Sequence, residues 1–218
     1  MKKLTSAVTA VMSTAIGFKL FRRNKATGEI FPLYVRADES IPVGTWVEAQ
    51  MGEIKENGKV KAKDLSEVAL RGGWHLNEEC PYVEHIYSKV YCEDGYFEEK
   101  GKHFDRIHKQ GNSKWEYVWY EVEYETTVDC QPMANEAGRN AKGEIIAKNA
   151  QLEMVDAHGF YRYKTNPNMF GTWIIAGNIR LVRELDRETV VEKCAEYGLK
   201  PLPTKNEYKS GARFVPMA

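Results

Sequence analysis

Between Trp115 and Asp129 the chain reads WEYVWYEVEYETTVD, a run without Gly or Pro in which aromatic and β-branched residues dominate. Such a run can do little except extend as a strand, and a strand needs partners and a cover. Period two divides it into two faces. Val118, Tyr120, Val122, Tyr124, Thr126 and Val128 share one, and Trp115, Tyr117, Trp119, Glu121, Glu123 and Glu125 share the other. The first is a core face. On the second, alternate carboxylates stand about 7 Å apart at a rise of roughly 3.3 Å per residue. That face is open to two readings: carboxylates solvated or paired with basic residues of a neighbouring strand, or a site wall in which mutual repulsion raises one carboxyl pKa.

With 218 residues and no low-complexity stretch, the chain is long enough for one substantial core. The 31 basic and 31 acidic residues cancel, which excludes wholesale electrostatic capture of nucleic acid and leaves only local patches. Cys80, Cys92, Cys130 and Cys194 show no CxxC spacing, as expected of a reducing, cytoplasmic setting. The alternative, an N-terminal signal peptide, rests on Lys2 and Lys3 before LTSAVTAVMSTAIG, a segment rich in Ser and Thr without a leucine run. No window reaches the roughly 18 apolar residues of a membrane span, so no membrane is expected.

The order of signals predicts an α+β fold: a mostly antiparallel sheet of short strands with a C-terminal helix packed on it. Residues 1–16 read as a leader or short helix, 17–199 as one domain with a charged insertion over 93–114, and 200–218 as a tail. GFKLFRR and IFPLYVRA flank a Gly-containing break and predict a hairpin, with Pro32 at an edge or strand start. Pro42 and Gly44 turn the chain into a short strand at Trp46 and Val47, and Asn57-Gly58 marks a hairpin tip or loop. Residues 130–148 read as loop. WIIAGNIRLVREL is a second clear strand, in which Gly177 marks a bulge or a close backbone approach. Asp186 caps a helix whose buried stripe is expected to be Val190, Val191, Cys194 and Tyr197.

Candidate chemistry gathers around ALRGGWHLNEECPYVEHIYSKVYC. Gly72 and Gly73 allow a tight turn that presents Arg71, Trp74 and His75, either as a pocket rim or as a structural turn with a core Trp and a half-buried His. His75, Cys80, His85 and Cys92 are zinc-ligand types, but their spacings match none of the tight pairs of structural zinc sites, and no metal is expected. Lys100, Lys102, Arg106, Lys109 and Lys114 in the insertion form a candidate phosphate-facing patch. Tyr161, Arg162, Tyr163 and Lys164 alternate aromatics with cations. That suits a base-stacking, phosphate-tracking surface, and equally an ordinary strand with Tyr inside and cations outside.

GFKLF, Pro42 to Trp46, Arg71 to His75 (Arg-x-Gly-Trp-His), His85, Trp119 to Glu123 and Trp173 to Arg183, in that order, resemble a family of uncharacterised bacteriophage and prophage proteins. The resemblance covers Gly17 to Leu185 and implies a mobile-element accessory protein without implying an activity. Gly72 stands where that family carries Pro, and the 93–114 insertion departs from its shorter members. An Arg followed downstream by a Glu-x-Glu strand is also similar to ADP-ribosyltransferases, although their Ser-Thr-Ser element has no counterpart here.

Two functions follow. In the first, a nucleotide- or nucleic-acid-directed site uses Arg71 as anion clamp, His75 and His85 as acid and base, and Glu121 or Glu123 as polarising carboxylate. The second is a non-catalytic accessory or inhibitor protein that binds a host or phage protein through exposed Trp119, Tyr161 and Tyr163. No P-loop, GxGxxG, HExxH or nucleophile elbow is present to favour either class, and the cofactor is left unknown.

Overall fold

Two eleven-residue strands, β1 (Thr14–Asn24) and β9 (Trp115–Glu125), lie antiparallel in unbroken register from Thr14 opposite Glu125 to Asn24 opposite Trp115. The structure, a computed structural model, describes residues 12–62, 67–82, 90–91, 97–98, 114–146, 150–164, 167–168, 170–202 and 204. In chain order β2 (Ile30–Phe31), β3 (Trp46–Glu48), β4 (Val60–Lys61), β5 (Glu67–Val68), β6 (Trp74–Asn77), β7 (Val90–Tyr91) and β8 (Phe97–Glu98) separate the long pair. After β9 come β10 (Val128–Asp129), α1 (Gln131–Ala137), β11 (Gly159–Tyr163), β12 (Trp173–Ala176), β13 (Asn178–Leu185) and α2 (Arg187–Ala195). The result is a mostly antiparallel, sheet-rich α+β fold; the one parallel pair among the named strands is β10 with β11.

The main sheet of nine strands runs β10-β11-β12-β6-β1-β9-β13-β3, with β2 beside β1. β12 and β13 are one strand interrupted at Gly177, and that interruption bends the sheet back on itself. Its first half pairs with β6 and its second with β9, while β6 and β9 both pair with β1. The pairings therefore close a ring. Gly177 is obligatory at the bend, because a Cβ there would lie 1.8 Å from the Asp156 carbonyl oxygen and 2.7 Å from Ala157 Cα.

The alternation read from the sequence organises the interior. Val118, Tyr120, Val122 and Tyr124 are buried together with Phe21, Leu76, Ile174, Ile179 and Leu181. Each such side chain contributes about 1.5–3 kcal/mol on full burial. Val128 is exposed, because the strand stops at Glu125 and β10 leaves in a new pairing. On the opposite face Phe18, Leu20, Trp119 and Leu185 cluster with Val190 and Cys194 of α2 and with Leu202.

Local signals explain most boundaries. Ile30 and Phe31 pair with Arg23 and Arg22 as a hairpin, and β2 ends where Pro32 removes a donor. The Asp186 carboxylate accepts from the Thr189 N–H at 2.8 Å and caps α2. Some expectations are corrected. Only Val190 and Cys194 of the expected α2 stripe are buried, since Val191 and Tyr197 face solvent. Residues 131–137, read as loop, form α1: Pro132 occupies its first turn and the Asp129 carboxylate accepts from the Gln131 N–H at 2.9 Å. The helix is too short to carry an apolar period. β1 begins at Thr14, inside the stretch read as a leader, and Leu202 in the expected tail is buried.

Candidate functional site: the opening between β1 and β6

The ring has one seam. β1 and β6 share a single Cα pair, Phe18 with Asn77, and then diverge. A cavity of about 640 Å³ fills the opening, walled by Lys19 of β1, by Gly73, Trp74 and His75 entering β6, and by Tyr163 and Trp173 of the neighbouring strands. Residues 32–36, 39–41 and 47–52 roof it. Buried Arg22 holds that roof from beneath, donating from Nη2 to the Ala37 carbonyl at 2.5 Å and from Nε to the Pro32 carbonyl at 3.3 Å. Trp74 ties the two walls by donating from Nε1 to the Val47 carbonyl at 2.9 Å.

The Gly pair makes this entry possible. Gly73 sits at φ +142°, and a Cβ there would meet Ile175 Cγ2 at 2.4 Å. A Cβ on Gly72 would meet the Glu153 carbonyl oxygen and Met154 Sδ, each at 2.5 Å. Gly72 N–H also donates to the Glu153 carbonyl at 2.8 Å.

Lys19 bridges the seam. Its ammonium donates to the His75 backbone carbonyl at 2.8 Å, taking the place of a ladder bond that the diverging strands no longer make. Nζ lies 5.5 Å from the ring centroids of both Phe21 and Trp74, and no carboxylate among the described residues pairs with it. Burial disfavours its charged form and lowers its pKa from 10.5 to about 8. Arg71, at the other side of the cavity, lies flat on Tyr163 with the guanidinium carbon 3.6 Å from the ring centroid. It donates from Nη2 to Gln151 Oε1 at 3.3 Å, while its buried Nε has no acceptor among the described residues. His75 packs edge-on against Trp173, and its Nδ1 lies 3.2 Å from the Gly73 carbonyl. A carbonyl only accepts, so Nδ1 carries the hydrogen.

The sequence-based site is therefore split. Arg71 and His75 share the cavity, but Glu121 and Glu123 do not line it. Glu123 accepts from Arg180 Nε at 2.8 Å; Glu121 accepts from Arg183 Nη2 at 2.8 Å and pairs with Lys193 at 3.7 Å. Both carboxylates are thus paired, with Arg180 and Arg183 across β13 and with Lys193 of α2. His85 and Cys92, and of the insertion cations Lys100, Lys102, Arg106 and Lys109, lie outside the described residues. Lys114 stands over Trp115 at 5.0 Å.

The exposed aromatic surface is also corrected. Trp119 is 2 % exposed within the cluster that contains α2 residues, and Tyr161 is fully buried, with its hydroxyl accepting from the Leu152 N–H at 3.2 Å. Tyr163 is buried beneath Arg71. Arg162 points outward, where Nε bonds both Glu78 carboxylate oxygens at 3.0 Å. Lys164 follows the end of β11 and does not line the cavity. The segment is thus a strand with Tyr inside and Arg outside.

Two groups had escaped the sequence reading. Lys19 gave a signal, a cation in inward register with Phe21, but Phe18 and Leu20 made both faces of β1 apolar and blurred it. The other is buried Glu125, which accepts from His158 Nδ1 at 2.5 Å and from Asn178 Nδ2 at 3.4 Å. That bond raises the His158 pKa above its ordinary value. Among the described residues no group of three or more His, Cys, Asp or Glu side chains is arranged to hold a metal.

No family model, curated protein or solved structure matches the chain.

Proposed function

We propose that the protein binds a small anion carrying a flat ring, of the nucleotide class, in the opening between β1 and β6. The observation that carries this reading is the presence of two cations with no carboxylate partner among the described residues, Lys19 and Arg71, on the walls of one aromatic cavity. A volume of about 640 Å³ suits a mononucleotide-sized ligand. Arg71, its plane fixed by Tyr163, offers its unsatisfied Nε to a phosphate oxygen. Trp74 and Trp173 supply ring contacts, and His75 lines the same wall. The resemblance to phage proteins gives the setting, an accessory protein of a mobile element with α2 fixed on the outer sheet face. Partner binding through Trp119, Tyr161 and Tyr163 is not favoured, because all three are buried.

Thermal unfolding with a panel of mononucleotides, and with inorganic phosphate alone, tests the reading. A nucleotide at about a hundred times its Kd should stabilise the protein by about 2.7 kcal/mol. For a chain of this size that raises Tm by about 5–10 °C. Arg71→Ala and His75→Ala should remove the response while leaving unliganded stability within about 1 kcal/mol. Absence of a shift with every nucleotide would refute the reading.

A further inference from the structure

We infer that Lys19 is a carbonyl-reactive amine, and that the cavity takes an aldehyde or ketone bearing an anionic group, held as a reversible imine on Nζ. This goes beyond the non-covalent reading and rests on the same cavity and the same two cations, Lys19 and Arg71. The geometry meets three requirements of such a site. Lys19 lines a cavity rather than the outer surface, where a carbonyl ligand can meet it. Among the described residues it has no carboxylate partner, and Nζ donates to the His75 carbonyl. Finally, Arg71 on the same cavity can hold the anionic end of the ligand while Trp74 and Trp173 cover its body.

Overall, ammonium and carbonyl give protonated imine and water. The ammonium first gives one proton to solvent, and the neutral amine adds its lone pair to the carbonyl carbon; the carbon–oxygen π pair moves to oxygen, which takes up a proton as nitrogen gives one up. The carbinolamine hydroxyl then takes a proton back from solvent and leaves as water, while the nitrogen lone pair closes the carbon–nitrogen double bond. The protonated imine keeps one N–H. One is what the His75 carbonyl at 2.8 Å accepts, so the bridge across the seam survives the condensation. Burial assists: with a pKa of about 8, Lys19 is about a quarter neutral at pH 7.5, whereas an ordinary lysine is about one part in a thousand neutral.

The experiment uses the full chain and pyridoxal 5′-phosphate, an aromatic aldehyde carrying a phosphate, as probe at substoichiometric amounts near pH 7.5. Borohydride reduction fixes any imine as a secondary amine, and peptide mapping locates it. Most of the label should fall on Lys19. Lys19→Arg, which keeps the charge and loses the nucleophile, should lower total labelling at least threefold. Label spread over exposed lysines such as Lys59 and Lys61, in proportion to their exposure, would overturn the inference, as would unchanged labelling of Lys19→Arg. Lys19→Met reports on folding in the same assay. Labelling of Lys19 without any nucleotide response would sink the proposed ligand class and leave the amine chemistry standing.

Discussion

Replacing Lys19 by Met should stabilise the protein near neutral pH, against the usual direction of a strand substitution. The length of the side chain is kept and the ammonium is removed. In the folded protein desolvation lowers the Lys19 pKa from 10.5 to about 8, which corresponds to about 3 kcal/mol of destabilisation while the group is charged. Against this stands loss of the bond to the His75 carbonyl, about 1.5–3 kcal/mol for a charged donor. The net gain is at most about 1.5 kcal/mol, or a Tm rise of up to about 6 °C. The sign follows from proton binding. Because the folded pKa lies below the unfolded one, the cost is complete below about pH 8 and is relieved as pH climbs from about 8 to 10.5. Calorimetry of both proteins from pH 7 to 10 should therefore show the advantage of Lys19→Met shrinking across that window. A variant less stable than wild type at pH 7, or a difference independent of pH, would refute the argument and make Lys19 a structural tether.

Two further outcomes concern the frame. Gly177→Ala forces a methyl group against the Asp156 backbone at the bend and should cost about 3 kcal/mol or more, lowering Tm by roughly 6–12 °C in a thermal melt; a change below 1 °C would mean that the bend relaxes freely. His158→Ala removes the donor to buried Glu125; the His158 pKa is raised, so its contribution is complete below its ordinary value of 6.5 and is lost as pH rises through the folded value. Its Tm deficit should accordingly be larger at pH 5.5 than at pH 8.5, and an equal deficit at both would show that the ion pair carries no stability.

What the sequence made legible was local. The alternation of Val118, Tyr120, Val122 and Tyr124 located the core face of β9, and Asp186 marked the start of α2, because strand period and helix capping act within a few residues. Gly177 was marked as a close approach, yet the partner that makes it so, Asp156, is set by tertiary folding. The carboxylates of β9 illustrate the limit. Glu121, Glu123 and Glu125 look equivalent along the chain, but the first two meet Arg183 and Arg180 across β13 while Glu125 is buried against His158. Register and strand order distinguish them, and neither was readable. Lys19 was missed for the same reason: an inward cation in a strand with two apolar faces becomes conspicuous only when the neighbouring strand is seen to leave.

The position of the cavity follows from how the ring closes. β1 spends one edge on eleven consecutive pairs with β9 and meets β6 at only one, so the closure is asymmetric. Where a ladder stops, backbone groups facing the opening need other partners. The His75 carbonyl finds the Lys19 ammonium, and Trp74 reaches across to the Val47 carbonyl. A neutral donor in place of Lys19 could satisfy the first of these without the cost of burying charge. The fold instead keeps a cation there, destabilised and without a counter-charge among the described residues, beside space large enough for a small molecule. A ligand that brings an anion removes part of that cost on binding, and its differential affinity for the folded chain is stronger for it. The same group that weakens the empty protein is thereby the one that strengthens the occupied one.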